Sequence, residues 1–184
     1  MIFLLRLKHW QLFLISWAIP LLMLVSIVFK EYLYPDPFFV IPALWFLVFP
    51  EIIFMMAWIW GISLRIENNI PSRSSLNILI FKIAFFIPII NILADLTYTW
   101  YNFFIRKILS ASLVSVMLLY FHALSILCVL FVMGYAAKIL KSAQLNKEVS
   151  FLDYASEFIL IILSPIGIWV LQPRLNRIAK KVAV

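Results

Sequence analysis

Four polar side chains interrupt the apolar stretches of this chain, and each could hold a proton or an ion there. Glu51 lies near the middle of one apolar run, and His122 lies within another. Asn91 and Asp95 are four residues apart, so they share one face of a helix. A charged group at the centre of a membrane helix costs about 2.5–3.5 kcal/mol on insertion scales and requires a partner, water or a proton. These four residues are therefore the candidate functional residues.

Glu51 has two interpretations. Hydrocarbon surroundings disfavour a charged carboxylate, so Glu51 would be a proton or cation site, or a polar lock in a pore. Alternatively, it is a protonated carboxyl that hydrogen-bonds a neighbouring helix.

Asp95 and His122 are expected to meet. An antiparallel pairing of the helices that contain them would bring Asp95 or Asn91 close to His122. An Asp–His pair would hold a proton and could respond to pH, because histidine titrates near neutrality. Hydrogen bonding that only joins the two helices is the simpler alternative.

The composition requires lipid as the main solvent. The chain has 184 residues, of which 66% are hydrophobic and 12% charged. Soluble domains are about 45–50% apolar and about 25% charged. The polar stretches are too short for a separate soluble domain, which excludes catalysis by an attached globular module.

Four apolar segments reach the length of about 20 residues that a bilayer crossing requires. They are Trp10–Phe29, Phe38–Leu64, Asn77–Tyr98 and Leu113–Ala137. A fifth segment, Phe158–Leu171, would span only about 21 Å of a hydrocarbon core of about 30 Å, and Pro165 and Gly167 interrupt it. The sequence predicts an all-α, polytopic membrane protein with four transmembrane helices plus a short C-terminal re-entrant or interfacial helix.

Two parts of the chain follow from this assignment. Residues 1–137 would form the four-helix transmembrane bundle. Residues 138–184 would form a cytoplasmic linker, a short broken apolar helix and a basic C-terminal tail. Ser150 and Asp153 have the spacing of a capping box, which predicts a helix from about Phe151 to about Ser164.

Basic residues set the expected orientation. With the N-terminus in the cytoplasm, only Lys30, Arg106 and Lys107 of the 15 Lys and Arg residues fall outside. A full fifth crossing would export the basic tail, which consists of Arg174, Arg177, Lys180 and Lys181. We therefore expect a multi-pass protein with both termini in the cytoplasm.

Signatures of enzymes, cofactor sites and metal sites are missing from the sequence. His122 and Ser125 lie one turn apart on one helix, which is poor geometry for a nucleophile and its base. The net charge of +7 comes without a nucleic-acid-binding motif and suits anionic lipid. We expect no enzyme activity, no cofactor, no metal and no nucleic-acid partner.

Several short motifs carry a family resemblance. They are Leu7–Phe13, His122–Ser125, Tyr135–Lys138, Asn146–Asp153, Glu157-Phe158, Pro165–Trp169 and Gln172–Asn176. With these motifs the chain resembles a family of small multi-spanning membrane proteins of Gram-negative bacteria, over about half its length and most specifically in the last fifty residues. The resemblance implies a location in the cell inner membrane and brings no established activity.

Three functions fit these observations. The first is a non-enzymatic membrane protein that acts by assembly, as an oligomeric pore or a membrane effector. The second is a small proton-coupled transporter that uses Glu51, Asp95 and His122. The third is an accessory subunit that anchors a protein partner, for which bacterial antiviral systems offer one context. The expected partners are the lipid bilayer and either further copies of the chain or another protein.

The orientation gives the first testable prediction. Reporter fusions at either end should behave as cytoplasmic, because twelve basic residues then lie on the inner side. The measurement compares a fluorescent reporter, active inside, with a phosphatase reporter, active outside. A C-terminal phosphatase that is active while the N-terminus is cytoplasmic would overturn the re-entrant assignment.

Overall fold

The computed structural model of this chain describes residues 7–33, 52–64, 78–101 and 113–182. Within these ranges every regular element is a helix and none is a strand, which confirms the all-α class. Glu51 lies outside the described residues, as do Pro42 and Pro50 of the same apolar run.

The helices follow one another with short connections where both ends are described. They are α1 (His9–Phe13), a π-helical turn (Leu14–Ala18), α2 (Ile19–Leu33), α3 (Ile52–Leu64), α4 (Ile78–Trp100), α5 (Leu113–Leu145), α6 (Phe151–Ile162) and α7 (Ser164–Val182). The chain forms two compact units. The first consists of Met1–Ser74 and Ala136–Val184, and the second of Ser75–Tyr135. The predicted division into membrane and cytoplasmic parts, 1–137 and 138–184, is a different one and stays a prediction.

Three stretches of the described residues are long and apolar enough to cross a membrane: His9–Lys30, Ile78–Trp100 and Val116–Leu145. They correspond to three of the four predicted segments. Of the remaining one, Phe38–Leu64, only the apolar helix α3 lies within the described ranges. Length and composition therefore make this a membrane protein, with three candidate spans.

Pro20 explains the π-helical turn before α2. Proline has no N–H, and its ring collides with the carbonyl four residues back in a regular helix. One turn before Pro20 the helix widens, and the amide of Ile19 donates to the carbonyl of Leu14, five residues back. The Ser16 hydroxyl donates to the carbonyl of Leu12 at 2.8 Å, which secures the same turn.

Helix α5 is longer than predicted, since it continues beyond Ala137 to Leu145. The residues after Ala137 include Lys, Leu, Ala and Gln, which are good helix formers and extend the helix. The end is set by Asn146, which has a φ of 53°. Asparagine tolerates this left-handed conformation better than most residues and is common at this position after a helix.

Helix α6 begins at Phe151, as the capping pattern predicts. The backbone amide of Ser150 donates to Asp153 Oδ2 at 2.8 Å, and the hydroxyl of Ser150 donates to the same oxygen at 2.9 Å. These two hydrogen bonds hold the pKa of the Asp153 carboxyl below its usual range. The acid therefore stays ionised, which suits the positive end of the helix dipole.

The predicted break in the C-terminal apolar segment is present, but it falls at Leu163 instead of at Pro165. Pro165 is the second residue of α7, where a missing N–H costs nothing because the first amides of a helix have no partner within it. Proline thus begins this helix. Pro173 lies inside α7, which continues through it.

Gly167 allows α6 and α7 to meet closely after the break. A Cβ atom at this position would lie 1.8 Å from the carbonyl oxygen of Leu160. The amides of Ile166 and Gly167 both donate to the carbonyl of Leu163, at 3.0 and 2.8 Å. We call α6, Leu163 and α7 the C-terminal hairpin.

Substitution of Gly167 by Ala should destabilise the hairpin. The methyl group would overlap backbone, which cannot move aside as a flexible side chain can, so we expect a loss of about 1–3 kcal/mol or more. Thermal unfolding in detergent measures the loss. The control is Ile166→Ala, which shortens an exposed neighbour. An equal or higher melting temperature for Gly167→Ala than for the control would contradict this packing.

Candidate functional site

In the second unit, α4 runs antiparallel to the part of α5 that precedes Ala136. Near one end, the rings of Phe81 and Tyr135 stack with centroids 4.6 Å apart. Farther along, His122 Nε2 lies 2.7 Å from Asp95 Oδ2. Residue numbers rise along α4 while those of the contacting residues fall along α5. The predicted contact between Asp95 and His122 is therefore present in the fold, whereas a function for it stays a prediction.

The geometry of the Asp95–His122 pair assigns one proton to the space between the two side chains. His122 Nδ1 lies 2.6 Å from the carbonyl oxygen of Leu118, which can only accept, so Nδ1 carries a hydrogen. At 2.7 Å, Nε2 and Oδ2 are close enough to share a second hydrogen, since two lone pairs at this distance would repel each other. That hydrogen makes the pair either imidazolium and carboxylate or imidazole and carboxylic acid.

The two members of this pair differ in exposure. The side chain of Asp95 is 8% exposed, whereas that of His122 is 45% exposed. The exposed neighbours of His122 on α5 are mostly large and apolar, for example Leu119 and Ile126. A polar ring thus emerges from a surface that otherwise suits hydrocarbon.

Asn91 is buried one turn before Asp95 on α4. Its side chain is 2% exposed, and its Oδ1 atom has no hydrogen-bond partner among the described residues. On α5, Ser125 is likewise buried, and its Oγ atom also has no hydrogen-bond partner among the described residues. The structure thus places three of the four predicted residues in one helix pair.

The first unit contains a second polar cluster, which we call the Glu157 cluster. Glu157 on α6 is fully buried. Its Oε1 accepts from Lys141 Nζ at 2.9 Å and from Arg174 Nη1 at 3.3 Å, and its Oε2 accepts from the Ser156 hydroxyl at 2.8 Å. Burial alone would raise the pKa of Glu157, but the hydrogen bonds from Lys141 and Ser156 outweigh it and hold the pKa below its ordinary value. The cluster joins α5, α6 and α7.

Gln172 forms further buried polar contacts in the first unit. Its Oε1 accepts from Trp58 Nε1 on α3, and its Nε2 donates to the carbonyl of Leu7, both at 3.0 Å. Asn176 Nδ2 donates to the same carbonyl at 3.3 Å. The start of the first candidate span is thus tied to α3 and α7.

Aromatic rings extend this contact along α1. The ring of Trp169 lies 4.7 Å from that of His9 and 5.6 Å from that of Phe13, measured between centroids. Since Trp169 contacts His9 and Phe13 while Gln172 and Asn176 contact Leu7, α7 runs antiparallel to α1.

Sequence reasoning missed the Glu157 cluster and the role of Gln172. It took Glu157 only as a charge suited to the start of a helix, and Arg174 as part of a tail. Arg174 instead pairs with Glu157, while Arg177 is exposed and Lys180 and Lys181 continue α7. The available signal was a carboxyl group within an apolar amphipathic helix, because such a group needs a partner when buried.

No family model, no curated protein and no solved structure matches this chain. Within the described residues, no three His, Cys, Asp or Glu side chains lie close enough together to hold a metal ion.

Removal of the buried charge by Glu157→Gln should destabilise the first unit. Loss of one partner of a buried ion pair costs about 3–5 kcal/mol, and we expect about 1–3 kcal/mol here because Lys141 and Arg174 are partly exposed. The control is Glu148→Gln, which removes the exposed partner of Lys138 at 3.7 Å and should change little. Melting temperatures in detergent measure both.

Acid should remove the stabilisation that ionised Glu157 provides in the unaltered protein. Because the pKa of Glu157 is below its ordinary value of 4.5, the stabilisation is complete above pH 4.5 and is lost as the pH falls through the folded-state pKa. Glu157→Gln should lack this part of the acid transition. If the melting temperatures of the unaltered protein and of Glu157→Gln fell with pH in the same way, this role of Glu157 would be contradicted.

Proposed function

We propose that this chain is a multi-pass protein of the cell inner membrane that acts by assembly with further copies of itself. In this proposal the Asp95–His122 pair lies where copies meet or where they enclose a water-filled path. No chemistry on a bound substrate is part of it.

The observation that carries the proposal is the exposure of His122 on an apolar helix. Ionisable groups within membranes almost always face a bundle interior or a water-filled cavity, because contact with lipid is costly. His122 is 45% exposed although Asp95 contacts one of its nitrogens. A second copy, or water enclosed by several copies, would remove the ring from lipid.

Contacts of the C-terminal hairpin support a re-entrant topology, in which both ends of the hairpin lie on the same side of the membrane. Gln172 and Asn176 bind the carbonyl of Leu7, at the start of the first candidate span. Leu163 precedes Gln172 by nine residues, which is about 14 Å of helix, or half of a hydrocarbon core of about 30 Å. The hairpin would then enter the membrane beside α1 and return, and the exposed side chains of Ile162, Leu163 and Ile166 near its turn would meet lipid.

A fourth span over Phe38–Leu64 is part of this proposal. Trp58 on α3 contacts Gln172, so the second half of Phe38–Leu64 lies close to the start of the first span. A helix that ends near Leu64 on the cytoplasmic side fits this position.

A proton-coupled transporter is the second candidate. The single shared proton of the Asp95–His122 pair favours it, because such a pair can take up and release a proton. Both candidates require the pair to be accessible to water.

Cysteine cross-linking tests the assembly. In a Cys128→Ser background, single cysteines at Leu119 and Ile126 lie on the side of α5 that His122 occupies, three residues before it and four after it. If copies meet there, mild oxidation of membranes should give disulfide-linked dimers. Leu124→Cys is the matched control, since it is also exposed and lies about 200° around the helix from His122.

Equal cross-linking at Leu124 would indicate random collision, and no cross-linking at Leu119 and Ile126 would contradict assembly through this face. Liposomes that contain the purified chain provide an independent measurement. An assembled pore should release ions, and Asp95→Asn should reduce that release.

A further inference from the structure

Next to the Asp95–His122 pair, α4 and α5 carry a second layer of polar side chains, Asn91 and Ser125, which we call the Asn91–Ser125 level. Phe81 contacts Tyr135 and Asp95 contacts His122, so fourteen residues along α4 correspond to thirteen along α5. The same register places Asn91 opposite Ser125. Both positions lie one turn from the pair, in the same direction along the helices.

The buried oxygens at this level require a hydrogen-bond donor. Asn91 and Ser125 are 2% and 6% exposed, and neither Asn91 Oδ1 nor Ser125 Oγ has a hydrogen-bond partner among the described residues. Leaving such groups unpaired is unfavourable in any interior, and surrounding lipid cannot supply the partner. Two unpaired oxygens at opposite positions suit one small molecule that donates hydrogen to both.

We propose that Asn91 and Ser125 hold a water molecule and that this water and the Asp95–His122 pair form a proton relay. The inference rests on the proposed function and names the ion that is moved as the proton. A buried water is stable with two to four polar partners, and an amide oxygen, a hydroxyl and a neighbouring carboxyl provide them.

The relay balances as two transfers. A hydrated proton at the Asn91–Ser125 level loses one O–H bond while an O–H bond forms at the ionised Asp95, so the pair regains its shared proton. In the imidazolium form of the pair the His122 ring then turns so that Nε2–H leaves Asp95 and faces the exposed side, and this N–H bond breaks as the proton passes to water. The ring turns back with its Nδ1–H intact, and Asp95 is again ionised. Hard metal cations take about six oxygen ligands or more, a larger set than this level presents, so the proton is the ion that fits.

Proton uptake into liposomes tests the relay. The full chain is reconstituted with an enclosed pH-sensitive dye, and a potassium diffusion potential drives protons inward. Asn91→Leu, Ser125→Ala and the double variant should each lower proton uptake, by about tenfold or more for the double variant, as for loss of a group that transfers protons. Thr97→Val is the matched control, because the Thr97 hydroxyl is exposed and bonds the carbonyl of Leu93 on its own helix at 2.8 Å.

A stability measurement separates the relay from a structural role. Replacing both oxygens by apolar groups should leave the melting temperature unchanged or raise it, because neither oxygen has a hydrogen-bond partner among the described residues. A double variant that unfolds at lower temperature and conducts protons normally would overturn the relay. So would an unaltered protein that takes up no protons, or that releases potassium or a trapped dye as readily as protons.

Failure of the proposed function has a different signature. Absence of cross-links at Leu119 and Ile126 would contradict assembly, and it can occur whether or not protons pass. Normal cross-links with proton uptake that is insensitive to Asn91 and Ser125 would contradict the relay alone.

Discussion

Lipid cannot supply hydrogen bonds, so each polar group in this chain needs a partner from the protein or from water. The two units meet this constraint differently. In the first unit, the Glu157 carboxylate has two cations and a hydroxyl as partners, and all of them come from the same fold. In the second unit, the partner of Asp95 among the described residues is His122, at 2.7 Å. The first arrangement stabilises the fold, whereas the second leaves a polar ring partly exposed.

One short stretch of α7 fixes much of the first unit. Gln172 and Asn176 are four residues apart and so share a helix face, and both bind the carbonyl of Leu7. Arg174 lies between them on the opposite side of the helix, where it pairs with Glu157. Alternate residues of one helical turn thus connect α7 to the start of the first span and to α6. The spacing of Gln172, Arg174 and Asn176 follows from these contacts. Gln172 and Asn176 face Leu7, whereas Arg174 faces Glu157.

Much of the fold follows from patterns that act locally. Apolar length predicts four spans, and three of them correspond to candidate spans among the described residues. The pairing of Ser150 with Asp153 predicts the start of α6. The Asp95–His122 contact was predictable because only two antiparallel helices and their polar residues were involved. The partners of Glu157 and Gln172 were not, because such contacts join residues up to 165 positions apart and depend on how the hairpin packs. The end of α5 was missed since hydropathy falls at Lys138, whereas the helix ends only where Asn146 changes the backbone direction.

The π-helical turn changes which side of the first span faces the rest of the protein. One additional residue in a turn rotates everything that follows by about 100° relative to a regular helix. Before the turn, Leu12 is buried and Phe13 contacts Trp169, whereas beyond it the large side chains of Leu21–Phe29 are mostly exposed. A single span thereby has a half that docks on its own chain and a half that is left for the acyl chains. Deleting one residue from Leu14–Ala18 would carry the outer half of the helix round to a different lipid-facing side while leaving its anchored half in place.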